Sequence, residues 1–319
     1  MLHRTDRSPY AGDSRSPACG RSPGLSRISG GPSTGMDERG PPMIMVAGAS
    51  GNIGSELVPL LLDRGRTVRA VVRNADRYQE PPGVEVIAAD LHRPDSLAEA
   101  FRGVTAMFLL GGFADMPGLV ARARDAGVEH LVLLSSRSVI GGKDDNAVVR
   151  MHRVSEAAVY ESGITWTVLR PSGFMSNTLQ WRDQLRSADL VRAPFADVPI
   201  AAIDPYDIAA VAATVLTTTG HAHRDYALSG PAALLPADQV AILAGVLDRP
   251  LRFAAQPDDE ARAEMSRTVP ADFVDAFFRF FADGEFDDSP VLSSVEDLTG
   301  SPARTYRDWA LAHADAFGT

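Results

Sequence analysis

The residues with the clearest chemistry lie in a ten-residue run, Met45–Gly54 (MVAGASGNIG), where Gly48, Gly51 and Gly54 sit three apart between an apolar β-branched stretch and a helical one. Glycines there permit a tight turn and let an anion approach the chain, while the helix start presents unpaired N–H groups. Ser50 and Asn52 add side-chain donors at the lip, and Ile53 follows them. The pattern implies binding of a dinucleotide pyrophosphate. Nineteen residues beyond Gly54 stands Arg73, followed by Asn74 and Arg77. A guanidinium where the second strand ends suits a ribose phosphate, whereas a carboxylate would suit bare ribose hydroxyls. That points to NADP(H) over NAD(H). Asp90 ends the third strand, where it either accepts from an adenine amino group or caps the helix starting near Pro94–Ser96.

Several other patterns could do chemistry. Ser135 and Ser136 follow a strand, but no G-x-S-x-G elbow surrounds them, so they read as hydrogen-bonding groups and not as nucleophiles. His221-x-His223 near Asp225 has metal-like spacing without a convergent third ligand, so no metal is expected. Phe273, Phe277, Phe280 and Phe281 share a helical spacing that reads either as packing or as a lid over a planar substrate. Phe174, Met175, Trp181 and the loop 190–198 are placed to line a pocket. Asp204 and Asp207 in IDPYDIA read as an architectural helix start.

These residues need a scaffold, and the chain supplies βαβ alternation from Met43 onward. Strands are expected at Ile44–Ala47, Thr67–Arg73, Val84–Ala89, Ala106–Leu110, His130–Ser135 and Thr165–Leu169. Helices are expected at Ile53–Arg64, Ser96–Arg102, Pro117–Ala126 and Ala147–Ser162. Beyond Pro171 the pattern loosens into strand pieces (Val198–Ile203, Tyr226–Leu228, Leu251–Ala255) among helices at 206–216, 236–247, 258–265, 271–282, 295–299 and 306–314. The fold class is α/β: a doubly wound parallel sheet with a smaller C-terminal α+β substrate lobe, from about residue 174. Residues 43–319 form one domain. Residues 1–42, with 6 Pro, 7 Gly, 7 Ser and 6 Arg and no apolar periodicity, are expected to be a disordered extension, or to precede a true start at Met36, Met43 or Met45.

The chain has 319 residues and a formal charge of −10, from 41 acidic and 31 basic side chains. That balance argues against nucleic acid and anionic bilayers as partners. Its longest apolar runs are far below the roughly 20 residues of a membrane span. Cys19 is the single cysteine, so no internal disulfide forms. A cytoplasmic protein, monomeric or homodimeric, acting on a small molecule is expected.

VAGASGNIG at 46–54, VVRN at 71–74, AADLHRPDSL at 88–97, His152, Glu156 and SGITWTVLRPSGFMSN at 162–177 together resemble the NmrA-like group of atypical short-chain dehydrogenase/reductases. The resemblance spans residues 43–319. It implies a Rossmann fold with NADP(H) in its cleft, and either reduction of a quinone, imine or enone-like molecule or NADP(H) sensing without turnover. It places Gly48, Ser50, Gly51, Asn52, Ile53 and Gly54 at the phosphates and Arg73 at the ribose phosphate. Asp90, Leu91, Leu110 and Gly111 would lie by adenosine. Ser135, Ser136, His152, Pro171, Ser172 and Phe174 would lie toward nicotinamide.

The Tyr-x-x-x-Lys pair of most short-chain dehydrogenases is absent: Lys143 is the single lysine, and Val139 precedes it by four. By register His152 takes the lysine place and Val148 the tyrosine place, making His152 the candidate catalytic residue, as ribose ligand or proton donor. Glu156 would orient His152 or cap a local network, and Tyr160 is a further phenol on that helix. Hydride transfer without a dedicated acid favours acceptors that take their proton from water, such as quinones, over plain ketones.

Overall fold

The computed structural model describes residues 42–79 and 81–318; the expected N-terminal extension lies outside them. Nine strands and ten α-helices alternate along these residues. They are β1 (Met43–Ala47), α1 (Gly54–Asp63), β2 (Thr67–Val72), β3 (Glu85–Ala88), β4 (Val104–Leu110), α2 (Met116–Asp125), β5 (His130–Leu134), α3 (Ala147–Tyr160), β6 (Thr165–Pro171), α4 (Arg182–Ser187), β7 (Leu190–Ala193), α5 (Pro205–Thr217), β8 (Arg224–Leu228), α6 (Pro236–Leu247), β9 (Arg252–Ala255), α7 (Asp258–Met265), α8 (Ala271–Phe281), α9 (Ser294–Thr299) and α10 (Tyr306–Ala312).

Seven strands form one parallel sheet in the order β3-β2-β1-β4-β5-β6-β8. The period of two sorts its side chains onto two faces. Ile44, Val46, Phe108, Val132 and Leu169 pack with Leu57, Val58 and Leu61 of α1 and Ile208, Val211 and Val215 of α5. Met45, Met107, Leu109, Leu131, Leu133 and Val168 pack with Leu119, Val120 and Ala123 of α2 and Val159 of α3. Burial on both faces explains why the strands read as unbroken apolar runs. The order reverses between β1 and β4, so a crevice opens there at the strands' C-terminal ends.

A second packing centre joins Trp181, Leu185, Val191, Leu243, Trp309 and Phe317, beside the two-stranded β7–β9 ladder. The pair β7–β9 corrects the expectation of a loop at 190–198: four residues alternating in burial suffice for a strand once β9 supplies a neighbour. Trp181 and Met175, expected to line the pocket, are core residues here, 4% and 2% exposed. Val198–Ile203 is extended but is no strand. Ile200 N–H bonds to Leu234 O, Ala201 N–H to Asp288 O and Ile203 N–H to Gly173 O, three separate partners that make no ladder. The helix expected at 96–102 shrinks to a 3₁₀ turn, Pro94–Leu97, and loose turns. On α8 the buried aromatics are Phe278 and Phe280, whereas Phe273, Phe277 and Phe281 are half-buried, so the helix packs around a different stripe than the spacing suggested.

Candidate cofactor site

The glycine loop turns at Gly48, whose φ is +68°. A Cβ on Gly48 would lie 2.9 Å from Leu110 Cδ1 and one on Gly54 would lie 2.3 Å from Gly48 O, so the turn closes only without side chains. Gly51 N–H bonds to Gly48 O, and the helical ladder begins with Ser55 N–H to Gly51 O and Leu57 N–H to Ile53 O. The N–H groups of Asn52, Ile53 and Gly54 therefore find no carbonyl among the described residues. No side chain caps α1, whose cap residue is Ile53. Three free donors, a helix start and a cradle shut to any Cβ fit a pyrophosphate. Ser50 stands exposed at the lip, and Asn52 Nδ2 donates to Ser176 Oγ at 3.1 Å.

Arg73 follows directly on β2, one residue past the strand's end, exposed and without a hydrogen bond or ion pair to the described residues. Asn74 is occupied: its Oδ1 caps the following turn by accepting from Asp76 N–H at 3.0 Å. Asp90 Oδ1 accepts from His92 N–H at 3.0 Å and closes its own turn; it does not cap the Pro94–Leu97 turn, whose cap residue is Arg93. Beside it Leu91 is buried, and His92 stands edge-on to Phe113 at 5.0 Å. Leu110 and Gly111 follow at the end of β4, with Gly111 N–H bonded to Leu134 O. Gly112 N–H donates to Ser155 Oγ at 2.9 Å, a contact that no sequence signal announced.

The sequence placed six residues toward nicotinamide, and the structure gives them different tasks. Ser135, 3% exposed, donates from Oγ to Glu156 Oε1 at 2.6 Å. Ser136 Oγ accepts from Ser138 N–H and caps a 3₁₀ turn. Ser172 donates to Ala201 O, tying down the chain beyond Pro171, and Phe174 forms a bridge with Ile203. His152 has a buried Nδ1 with no partner among the described residues, a ring nitrogen left free for a hydrogen bond. Burial pushes its pKa down to about 4 against a smaller upward pull from Glu156, so at neutral pH it is an uncharged imidazole and no imidazolium acid.

Of the two roles expected for Glu156, the structure shows the local network and no hydrogen bond to His152. Arg170 grips it instead, Nε to Oε1 at 2.9 Å and Nη2 to Oε2 at 2.8 Å, while Tyr160 OH reaches Oε2 at 3.2 Å. Burial raises the Glu156 carboxyl, but hydrogen bonds from Arg170 and Ser135 outweigh it and hold the pKa below the usual range. Tyr160 also donates to Asp225 Oδ1 at 2.7 Å; burial first, then that bond, keeps the phenol protonated. This network lies over β6 and β8, and sequence reasoning missed Arg170 as its centre. Asp288 is another side chain it missed: 5% exposed, it accepts Gly173 N–H at 2.8 Å and sits 3.5 Å from Arg137 Nη1. Burial lifts its carboxyl to about 6.

The distracting patterns resolve as structure. His221 bonds Tyr226 OH and Thr218 Oγ1, and no group of three or more His, Cys, Asp or Glu among the described residues could hold a metal. Asp204 caps α5 and pairs with Arg304 at 3.2 Å, while Asp207 accepts Arg304 N–H.

An open parallel sheet with a glycine cradle at its switch point defines a dinucleotide-binding Rossmann protein. A family profile described as NAD(P)H-binding matches residues 48–219, and the chain belongs to that family. It is similar to a (4-alkanoyl-5-oxo-2,5-dihydrofuran-3-yl)methyl phosphate reductase of Streptomyces griseus, 41% identical over 280 residues, covering 86% of this chain and 99% of that one. An NAD(P)H azoreductase of Xenophilus azovorans is 35% identical over 287 residues, again covering 86% and 99%. In structure it resembles an NADPH-dependent quinone oxidoreductase of Escherichia coli, with a TM-score of 0.70, 24% identity, and coverage of 85% and 99%. The NAD(P)H-binding Rossmann protein that the motifs resembled is what the family match and the sheet show.

Proposed function

We propose that this protein is an NADPH-dependent reductase of a small conjugated acceptor, of the enone class and akin to an acyl-substituted unsaturated lactone. The coarser statement, an NAD(P)H-dependent oxidoreductase, rests on the two relatives aligned over nearly their whole length, both named reductases. When bound, the reduced nicotinamide supplies a hydride. The chain's own residues bind and orient: Asn52–Gly54 N–H groups hold the pyrophosphate, Arg73 the ribose phosphate and His152 Nδ1 a ribose hydroxyl.

One observation carries the choice of acceptor. Of the side chains that the sequence reading placed toward nicotinamide, Ser135 has its proton committed to Glu156 and His152 is an uncharged imidazole at neutral pH, so neither is a strong acid. A conjugated acceptor tolerates this, because hydride addition to its β-carbon leaves an enolate that collects its proton from water. A plain ketone would leave an alkoxide in need of an acid. A sensor without turnover would share the lack of a proton donor; the two relatives named reductases over nearly their whole length favour the enzyme.

The test is NADPH oxidation against an acyl butenolide, a quinone, an azo dye and unconjugated ketones. Turnover confined to the conjugated members is expected. Reduction of simple ketones, or tight NADP⁺ binding with no turnover on any member, would overturn the reading.

A further inference from the structure

Ser135 sits at the end of β5 with one hydroxyl hydrogen, directed to Glu156 Oε1 at 2.6 Å. Its backbone N–H is spent on Leu169 O. Glu156 receives that hydroxyl and two N–H groups of Arg170, three donors on an ionised carboxylate that has no proton to return. The hydroxyl therefore has only lone pairs left for a further partner. This polarity is built in: Glu156 is 4% exposed and the Arg170 side chain 18% exposed, so water does not compete freely for either.

We propose that Ser135 Oγ is a dedicated acceptor for the carboxamide N–H of the bound nicotinamide, and that Glu156 and Arg170 are positioning residues that fix its polarity. The carboxamide is the one hydrogen-bond donor on the nicotinamide ring, and the ribose hydroxyls have the orphan Nδ1 of His152 to meet. The assignment rests on the NADP(H) reading of the site. It makes Ser135 a seat for the cofactor and excludes it as proton donor to the substrate.

The test is calorimetric binding of NADP⁺ and of its 3-acetylpyridine analogue, in which a methyl group replaces the amide NH₂. The wild type should prefer NADP⁺ by about fivefold to tenfold, the worth of one such bond. Ser135→Ala should bind the two within twofold of each other. In Glu156→Gln the amide offers its own N–H to Ser135 and frees the hydroxyl hydrogen, which the carbonyl of either ligand accepts, so the preference for NADP⁺ should fall to within about twofold. Thermal melts establish that each variant is folded, and Ser135→Ala decides the matter if Glu156→Gln is not. A Ser135→Ala variant that keeps the wild-type preference overturns the assignment, as does a wild type with none. Failure of the wild type to bind NADP⁺ at all would remove the cofactor site itself, a distinguishable result.

Discussion

Asn52 and Ser176, 124 positions apart, meet at 3.1 Å, Nδ2 to Oγ, so the phosphate cradle is wired directly to the segment that follows β6. A neutral bond of this kind stabilises by about 0.5–1.5 kcal/mol. Ser176→Ala should lower the melting temperature slightly and leave the NADP⁺ dissociation constant within about twofold, because the backbone donors at Asn52–Gly54 stay in place. Asn52→Ala should lose the same stability and also severalfold in affinity. Melting curves paired with calorimetry separate the two; equal affinity losses in both variants would show that Asn52 acts only through Ser176.

Gly54→Ala puts a Cβ at 2.3 Å from Gly48 O and 2.7 Å from Ala49 Cα, both backbone atoms that cannot step aside cheaply. The expected result is a folded sheet with a distorted cradle: stability down by about 2 kcal/mol or more, and NADP⁺ binding lost to calorimetry. Unchanged binding would mean that the pyrophosphate lies elsewhere.

Arg73→Ala should weaken NADPH binding about tenfold to a thousandfold, given roughly 1.5–3 kcal/mol for each charge-assisted bond to the ribose phosphate, with little effect on NADH. Arg73→Asp should reverse the preference. Both constants belong at one ionic strength, since screening weakens phosphate contacts first. Equal loss for both cofactors would reduce Arg73 to a surface charge.

Burial lowers the His152 pKa from 6.5 to about 4. The unfolded chain then binds more protons between those values, so the stability this group contributes is full above 6.5 and is lost as pH falls toward 4. His152→Gln should flatten that part of the acid limb in a series of melts from pH 7 to 4. Cofactor affinity should show no His152 titration between pH 6 and 8, because the imidazole is already neutral there. A titration at its ordinary pKa would place the ring in water.

Glu156→Ala leaves the Arg170 guanidinium largely buried without its bidentate partner and should cost about 3–5 kcal/mol. Replacing both, Glu156→Leu with Arg170→Met, should recover much of that loss in urea denaturation. A double variant no better than the single one would show that Asp225, 3.5 Å from Arg170, matters as much as Glu156.

The cradle and the sheet were legible because each depends on local pattern: glycine spacing, β-branched runs and helix periods. Arg170 was not. Its neighbours Glu156, Tyr160 and Asp225 lie 10 to 55 positions away, and a strand arginine flanked by Leu169 and Pro171 gives no sign of which face it takes. The same limit hid β7, whose partner β9 comes sixty residues later. Glu156 shows a subtler limit, since its residue type and position suited either His152 or a local network, and the partner that decides for the network, Arg170, lies on a different element.

The stretch 198–203 hands its amides to Leu234, Asp288 and Gly173 in turn. A strand exchanges its amide hydrogens together, because one ladder opens as a unit. Here Ile200, Ala201 and Ile203 each report a different contact, so their deuterium uptake should follow three separate clocks. Ligand occupancy beside Gly173 would slow Ile203 first, which makes this short piece of chain a native gauge of whether the cleft is filled.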